Sequence, residues 1–289
     1  MTDREAPSLP VKVYRPFSES RRGFRTLFGD FFKGFGQAHE LGMHLAKRDI
    51  KSAYRQTVLG LLWAFLLPLV NTITWVFLNG SGIVKVAETD IPYTAYVFSG
   101  TMLWAIFIES VNKPLLIANA SKTLLTKINF PRESLILSGV YQTVFNAVIK
   151  IVLVMGVFLW MGIYPNVQIL WLPVMLFSLV VTGTALGVLL SPVGMLYNDV
   201  GKSIPLIMQL FMYLTPVVFM MPESGVLRTI FTLNPLSSIL MTARSVMAGT
   251  TPEYLLPALA ITAGMMVLFF FTWLIYRIAM PVLIERMSA

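Results

Sequence analysis

Long apolar runs separated by short charged joins dominate this chain. The first run, residues 57–78, contains no Lys, Arg, Asp or Glu and has the ~20 residues that a helix needs to cross a bilayer. Five more apolar segments follow, at about 93–110, 134–160, 170–191, 204–221 and 254–276. All are long enough to span, the second and fifth only just. The pattern predicts an all-α polytopic membrane protein with six transmembrane helices. The joins are unequal. The third and fourth runs are linked by little more than "GIYPNVQI". The stretch 111–133 is amphipathic, with Pro114 and Pro131 as breakers at its ends. Residues 222–249 are apolar in patches but interrupted by Pro222 and Asn234-Pro235. They are too short for two further spans, so short re-entrant or interfacial helices are expected between the fifth and sixth crossings, buried against protein.

The chain divides into three parts on this reading. Residues 1–34 are polar and charged, without the apolar core of a signal peptide, and read as a cytosolic tail. Residues 35–56 form an amphipathic interfacial helix, and 57–289 the six-helix transmembrane domain. On the helix His44, Arg48, Lys51 and Arg55 fall on one face, with Met43, Ala46, Ile50 and Ala53 on another. That is the layout of a helix lying in the headgroup layer. Its cations either anchor the helix to lipid phosphate or receive an anionic lipid-linked substrate. The same electrostatics serves both.

Charge orients the whole. Hydrophobic residues make up 56% and charged residues 12%, too few charges to clothe a soluble domain. Eleven of the 22 Lys and Arg precede Thr57. With six crossings, 18 cations lie on the side of the termini and only Lys85, Arg228 and Arg244 on the other, Lys150 being within the third helix. The positive-inside rule therefore predicts N-in, C-in. A net charge of +8 can signal nucleic acid, but here the cations flank apolar runs, so membrane lipids and not nucleic acid are the expected contact.

Catalytic groups are scarce. There is no cysteine, His39 and His44 are the only histidines, and no H-E-x-x-H or G-x-S-x-G occurs. "Gly201-Lys202-Ser203" has the ending of a phosphate loop, but Leu196 stands where its first glycine is required. Neither a metal nor a cofactor is expected on this chain. Within the third run Ser134, Ser138, Gln142, Asn146 and Lys150 recur every four residues as a polar stripe. It reads as interhelical hydrogen-bond glue or as part of a substrate path. Lys150 lies about 24 Å along from Ser134, too deep to reach a surface easily. Glu109 is a poor partner for it on this reading, because it falls near the cytosolic end of the second helix. Many aromatic rings sit near crossing ends, as interfacial belts do. Tyr54, Trp63, Tyr96, Trp104 and Tyr213, with Lys150, are candidates for a sugar-stacking channel lining.

"LAKRDIKSAYRQTVLGLLWAFLLPL" closely resembles the start of polysaccharide-export permeases of the ATP-binding-cassette type 2 class, especially those exporting lipid-linked O-antigen. "NASKTLLTKINFPRESL", "YNDVGKSIPLIMQLFMYLTPVVF" and "LNPLSSILMTARSVMAG" are similar to later stretches of that family. The resemblance runs from about Phe35 to the C-terminus. It implies a homodimer in the bacterial inner membrane, with two ATP-binding cassette subunits that hold ATP and Mg and do the hydrolysis. It also implies a gate helix, with Arg48, Lys51 and Arg55 meeting a lipid pyrophosphate and Leu59-Gly60 as the loop into the first crossing. The segment Ala118, Asn119, Lys122, Leu125, Lys127 and Phe130 would couple to the ATPase, with Tyr197, Asp199 and Lys202 as a second contact. The cargo expected is undecaprenyl-diphosphate-linked O-antigen or a related polysaccharide. Teichoic acid, capsule polymer, a drug or a lipid are the same-architecture alternatives. A membrane enzyme acting on polyprenyl-linked glycan is a rival of another class, but no loop gathers the acids, bases or metal ligands it would need.

Overall fold

A computed structural model describes residues 24–55, 63–84, 89–128, 130–222 and 224–288. Among the described residues the chain is helical, with no strand. The helices are α1 (Phe24–Arg55), α2 (Trp63–Gly80), α3 (Tyr93–Ala120), α4 (Lys122–Lys127), α5 (Glu133–Trp160), α6 (Leu172–Leu196), α7 (Asn198–Tyr213), α8 (Val226–Leu233), α9 (Pro235–Ala248) and α10 (Leu255–Ser288). Four stretches among them are long and apolar enough to cross a membrane: Tyr93–Ala120, Glu133–Trp160, Val167–Leu196 and Leu255–Arg286. A fifth would be the α8–α9 pair, bent by 81° at its break. The protein is therefore a multi-pass membrane protein.

The core is the α3–α6 pair. Their apolar windows are 78% and 61% buried, against 33% for α5 and 22% for α10, which turn much of their surface outward. Small residues permit this closeness. A Cβ on Gly183 would overlap Ser110, and one on Gly187 would overlap the Val111 carbonyl, so both glycines of "GTALG" are backbone contact points. The Pro114 ring lies against Gly187. Pro114 therefore does not end the second helix as the sequence suggested; α3 runs through it to Ala120. Hydroxyl pairs tie neighbouring helices, Thr72 to Thr101 (3.1 Å) between α2 and α3 and Ser178 to Thr262 (2.6 Å) between α6 and α10.

Two further boundaries differ from expectation. Helix α1 starts at Phe24, ahead of residue 35. Helix α7 starts at Asn198 and stops at Tyr213, after 16 residues, or about 24 Å. Expectation had carried that run to 221, but residues 214–221 form a non-helical turn. The short helices expected between the fifth and sixth runs are present as α8 and α9. Pro235 opens α9 at the position where its missing N–H costs nothing, and the Asn234 side chain caps the start by accepting from the Leu236 N–H (3.0 Å).

Candidate functional site

Helix α1 docks on α5 through small residues one turn apart. Ala38, Gly42 and Ala46 are buried, and a Cβ on Gly42 would lie 3.0 Å from Leu137 Cβ and from the Ser134 carbonyl. His39 Nδ1 meets the Tyr141 hydroxyl at 2.5 Å, and Gln142 Nε2 donates to Asp49 Oδ2 at 3.2 Å. The expected apolar face is accordingly divided: Ala46 is buried, Met43 and Ile50 half-buried, and Ala53 exposed. The opposite face presents His44, Lys47, Arg48, Lys51 and Arg55 outward. Arg48 is held by its neighbour, its Nη2 lying 2.7 Å and its Nε 2.8 Å from Asp49 Oδ1. Asp49 thus joins the cationic face to α5. Leu59 and Gly60 lie outside the described residues, as do the side chains of Tyr54 and Trp63.

The α5 stripe is hydrogen-bonded throughout. Ser134 Oγ donates to the Pro131 carbonyl (2.6 Å), and Gln142 Nε2 donates to Ser138 Oγ (3.1 Å). At its inner end Lys150 Nζ lies 2.6 Å from Glu109 Oε2, Asn146 donates to Glu109 Oε1, and Lys113 Nζ stands 3.7 Å from Oε1. Glu109 is therefore the partner of Lys150, which corrects the expectation. The reason is length: α3 continues about 15 Å beyond Ser110, so Glu109 sits in mid-helix, level with Lys150. One carboxylate faces two ammonium groups, in the seam between α3 and α5.

The ring candidates separate by burial. Trp104 and Tyr96 are inside the chain, while Tyr213 is 41% exposed and stands 6.2 Å, ring to ring, from Trp75. Trp75 also packs edge-on against Phe219 at 5.2 Å. Tyr96 lies beneath a group the sequence did not mark, Arg244, whose guanidinium carbon is 3.6 Å from the ring centroid. Arg244 is buried, and its Nη2 donates to the carbonyls of Pro216 and Val217, both at 3.0 Å. Tyr96 Oη donates to the Phe219 carbonyl (3.1 Å), and Asn234 Nδ2 to the Leu214 carbonyl (2.9 Å). The turn after α7 is thus satisfied by side chains, as buried irregular backbone must be. A cation at the end of α7 also complements its dipole.

The coupling candidates share one end of the molecule. Lys122 Nζ donates to the Met195 carbonyl (3.0 Å), which ties α4 to the end of α6 two residues before Tyr197. Ala118 and Leu125 are buried anchors, and Asn119 and Phe130 are half-buried. Lys127, Tyr197, Asp199 and Lys202 are exposed. Among the described residues no cluster of His, Cys, Asp or Glu has the makings of a metal site.

Sequence reasoning missed Asp49, Arg244 and the Ala38-Gly42-Ala46 stripe. The stripe was legible as small residues at four-residue spacing, and Asp49 as a lone acid among cations. Nothing local marked Arg244.

Comparison with known proteins places a match to the family described as ABC-2 type transporter over residues 41–248. The chain is 25% and 26% identical to two proteins of Klebsiella pneumoniae named O-antigen export system permease protein RfbA, each covering 76% of this chain and 84% of the relative. A protein of the same name from Myxococcus xanthus is 25% identical, over 73% of this chain and 81% of its own length.

Proposed function

The chain belongs to the ABC-2 type transporter family, whose members are membrane subunits of transporters, and from that premise we propose that it is the permease of an ATP-driven polysaccharide exporter. The cargo is undecaprenyl-diphosphate-linked O-antigen or a related glycan, moved across the bacterial inner membrane. Two copies form the path, in six crossings each, with both termini in the cytoplasm. Two ATP-binding cassette subunits hold ATP and Mg and supply the work. This chain makes and breaks no bond.

The observation that carries the reading is the outward cationic face of α1, fixed at the join to the first apolar run in a chain whose relatives are named for O-antigen export. Arg48, Lys51 and Arg55 present positive charge where a membrane-borne pyrophosphate would arrive, and guanidinium groups suit phosphate oxygens. A permease for small apolar compounds has no use for such a sill. Tyr213, Trp75 and the neighbouring rings give flat faces on which sugars stack. Tyr96 supports the turn after α7, and Lys150 the α3–α5 seam, so both shape the path from within. The exposed Lys127, Tyr197, Asp199 and Lys202 receive the ATPase subunits, on segments that Lys122 joins by its bond from α4 to the end of α6.

The test replaces Arg48, Lys51 and Arg55 together by Gln and measures surface O-antigen by gel and antibody. Display should be lost while the protein remains inserted at normal abundance. Normal display from the inserted variant would remove the pyrophosphate role.

A further inference from the structure

Away from the cationic sill, α5, α6 and α10 enclose a trough of about 800 Å³. Its origin is a mismatch of side-chain size. Along α5 the wall is made of short residues, Val140, Val144, Ala147 and Val148, while opposite it stand Phe177 and Phe270. Short side chains facing large ones leave a slot that neither fills. The lining is hydrocarbon almost throughout, and it runs about 16 Å along α5 from Leu137 to Val148. Val144, Val148, Phe177 and Met266 are 44–54% exposed, so the slot opens sideways on the two spans that turn most of their surface outward. A slot open on the flank of spanning helices faces the hydrocarbon layer of a bilayer.

A second observation says which lipid. One turn beyond Leu137 on the same face of α5 is Glu133, and one turn beyond Trp273 on the same face of α10 is Arg277. The two stripes that form the trough converge there, Arg277 Nε lying 3.4 Å from Glu133 Oε1. Arg132 precedes Glu133 at the start of α5. Two guanidinium groups, one carboxylate and the positive end of a 28-residue helix leave an excess of positive charge at one mouth of an apolar slot. That is a headgroup site on a tail site, on the side that carries most of the cations.

We infer that the trough holds one acyl chain of an anionic membrane phospholipid, whose phosphate rests on Arg132 and Arg277. The lipid wedges α5 against α10 and fills a gap that helix packing leaves. The site is separate from α1, and it takes from the proposed transport role only the assignment of this mouth to the cytoplasmic leaflet, where anionic lipids face the protein.

The test uses the full chain, purified in mild detergent and then placed in nanodiscs of phosphatidylcholine containing a small fraction of phosphatidylglycerol. Native mass spectrometry of the purified protein should retain about one phosphatidylglycerol or cardiolipin per chain, enriched over the membrane's own composition. In the nanodiscs, phosphatidylglycerol with brominated tails should quench a fluorescence component that Trp273→Phe removes. Arg132→Gln should weaken retention about fivefold, from the loss of one cation near the phosphate. Val144→Trp, which fills the slot from an exposed position, should abolish it, with elution volume and melting temperature reporting that both variants fold. Retention equal to bulk composition would overturn the proposal, as would unchanged retention in both variants. A retained polyprenyl phosphate in place of a phospholipid would overturn it too, assigning the slot to cargo. Burial of Val148→Cys against a second copy in disulfide cross-linking would assign it to a protein interface.

Discussion

Removing Glu109 should damage this protein more than removing Lys150, although the two form one ion pair. At 2.6 Å, with an effective dielectric near 20, their attraction is about 6 kcal/mol before desolvation is subtracted. The Lys150 and Glu109 side chains are 5% and 17% exposed, so most of that gain offsets the loss of hydration. What remains large is the cost of leaving one partner alone. Glu109→Gln leaves the Lys150 and Lys113 ammonium groups facing each other in the α3–α5 seam with no anion between them, which should cost about 3–5 kcal/mol. Lys150→Met leaves a carboxylate that still accepts from Asn146 and that Lys113, now 3.7 Å away, can approach. Its cost should be smaller, about 1–3 kcal/mol. The double variant removes both charges and keeps the volumes, so it should regain most of the Glu109→Gln loss. The assay is unfolding of the detergent-solubilised protein, followed by tryptophan fluorescence, for wild type, both single variants and the double. Equal single costs that simply add in the double would refute the pairing and the supporting role given to Lys113.

Other substitutions test the packing. Gly187→Leu should prevent α3 and α6 from closing and abolish stable insertion, whereas Gly156→Ala, which meets nothing within 4 Å, should be neutral or slightly stabilising; membrane-fraction blotting and thermal melts distinguish them. Arg244→Gln strips donors from the Pro216 and Val217 carbonyls and should lower stability by about 1–3 kcal/mol for each carbonyl left bare. Arg244→Lys should not rescue it, because a lysine has a shorter reach and no planar group to lie on the Tyr96 ring while its terminal nitrogen holds the two carbonyls. Gly42→Leu should lift α1 from α5 with every cation retained, lowering export while insertion stays normal; unchanged export would mean that the position of α1 is irrelevant.

Much of the fold was readable because apolar runs and helices in a bilayer obey one rule. The runs at 93–110, 134–160, 170–191 and 254–276 correspond to α3, α5, α6 and α10. The errors lie at proline and at turns. Pro114 looked like a stop, yet its ring fills the space that Gly187 leaves on α6, a contact 73 residues away in the chain. That misplaced end hid the Lys150 partner, since Glu109 appeared to lie at the membrane surface. The run to 221 looked continuous because residues 214–221 are uncharged and nearly all apolar, and a proline such as Pro216 can sit inside a spanning helix. Its end depends on Arg244 and Asn234, which capture the freed carbonyls from elsewhere. The polar stripe on α5 was visible as a repeat, but its partners belong to α1 and α3 and no spacing could name them. The cationic face of α1 was readable directly from charge periodicity, though not the stripe of small residues that docks it.

The most direct test is the fate of the cargo in cells that lack this chain but retain the rest of the glycan assembly machinery. Lipid extraction with glycan blotting should find undecaprenyl-diphosphate-linked polysaccharide accumulating in the inner membrane, on the cytoplasmic face by protease-coupled lectin access, with surface polysaccharide absent and restored by the wild-type gene. Normal surface polysaccharide without an accumulated intermediate would contradict the account.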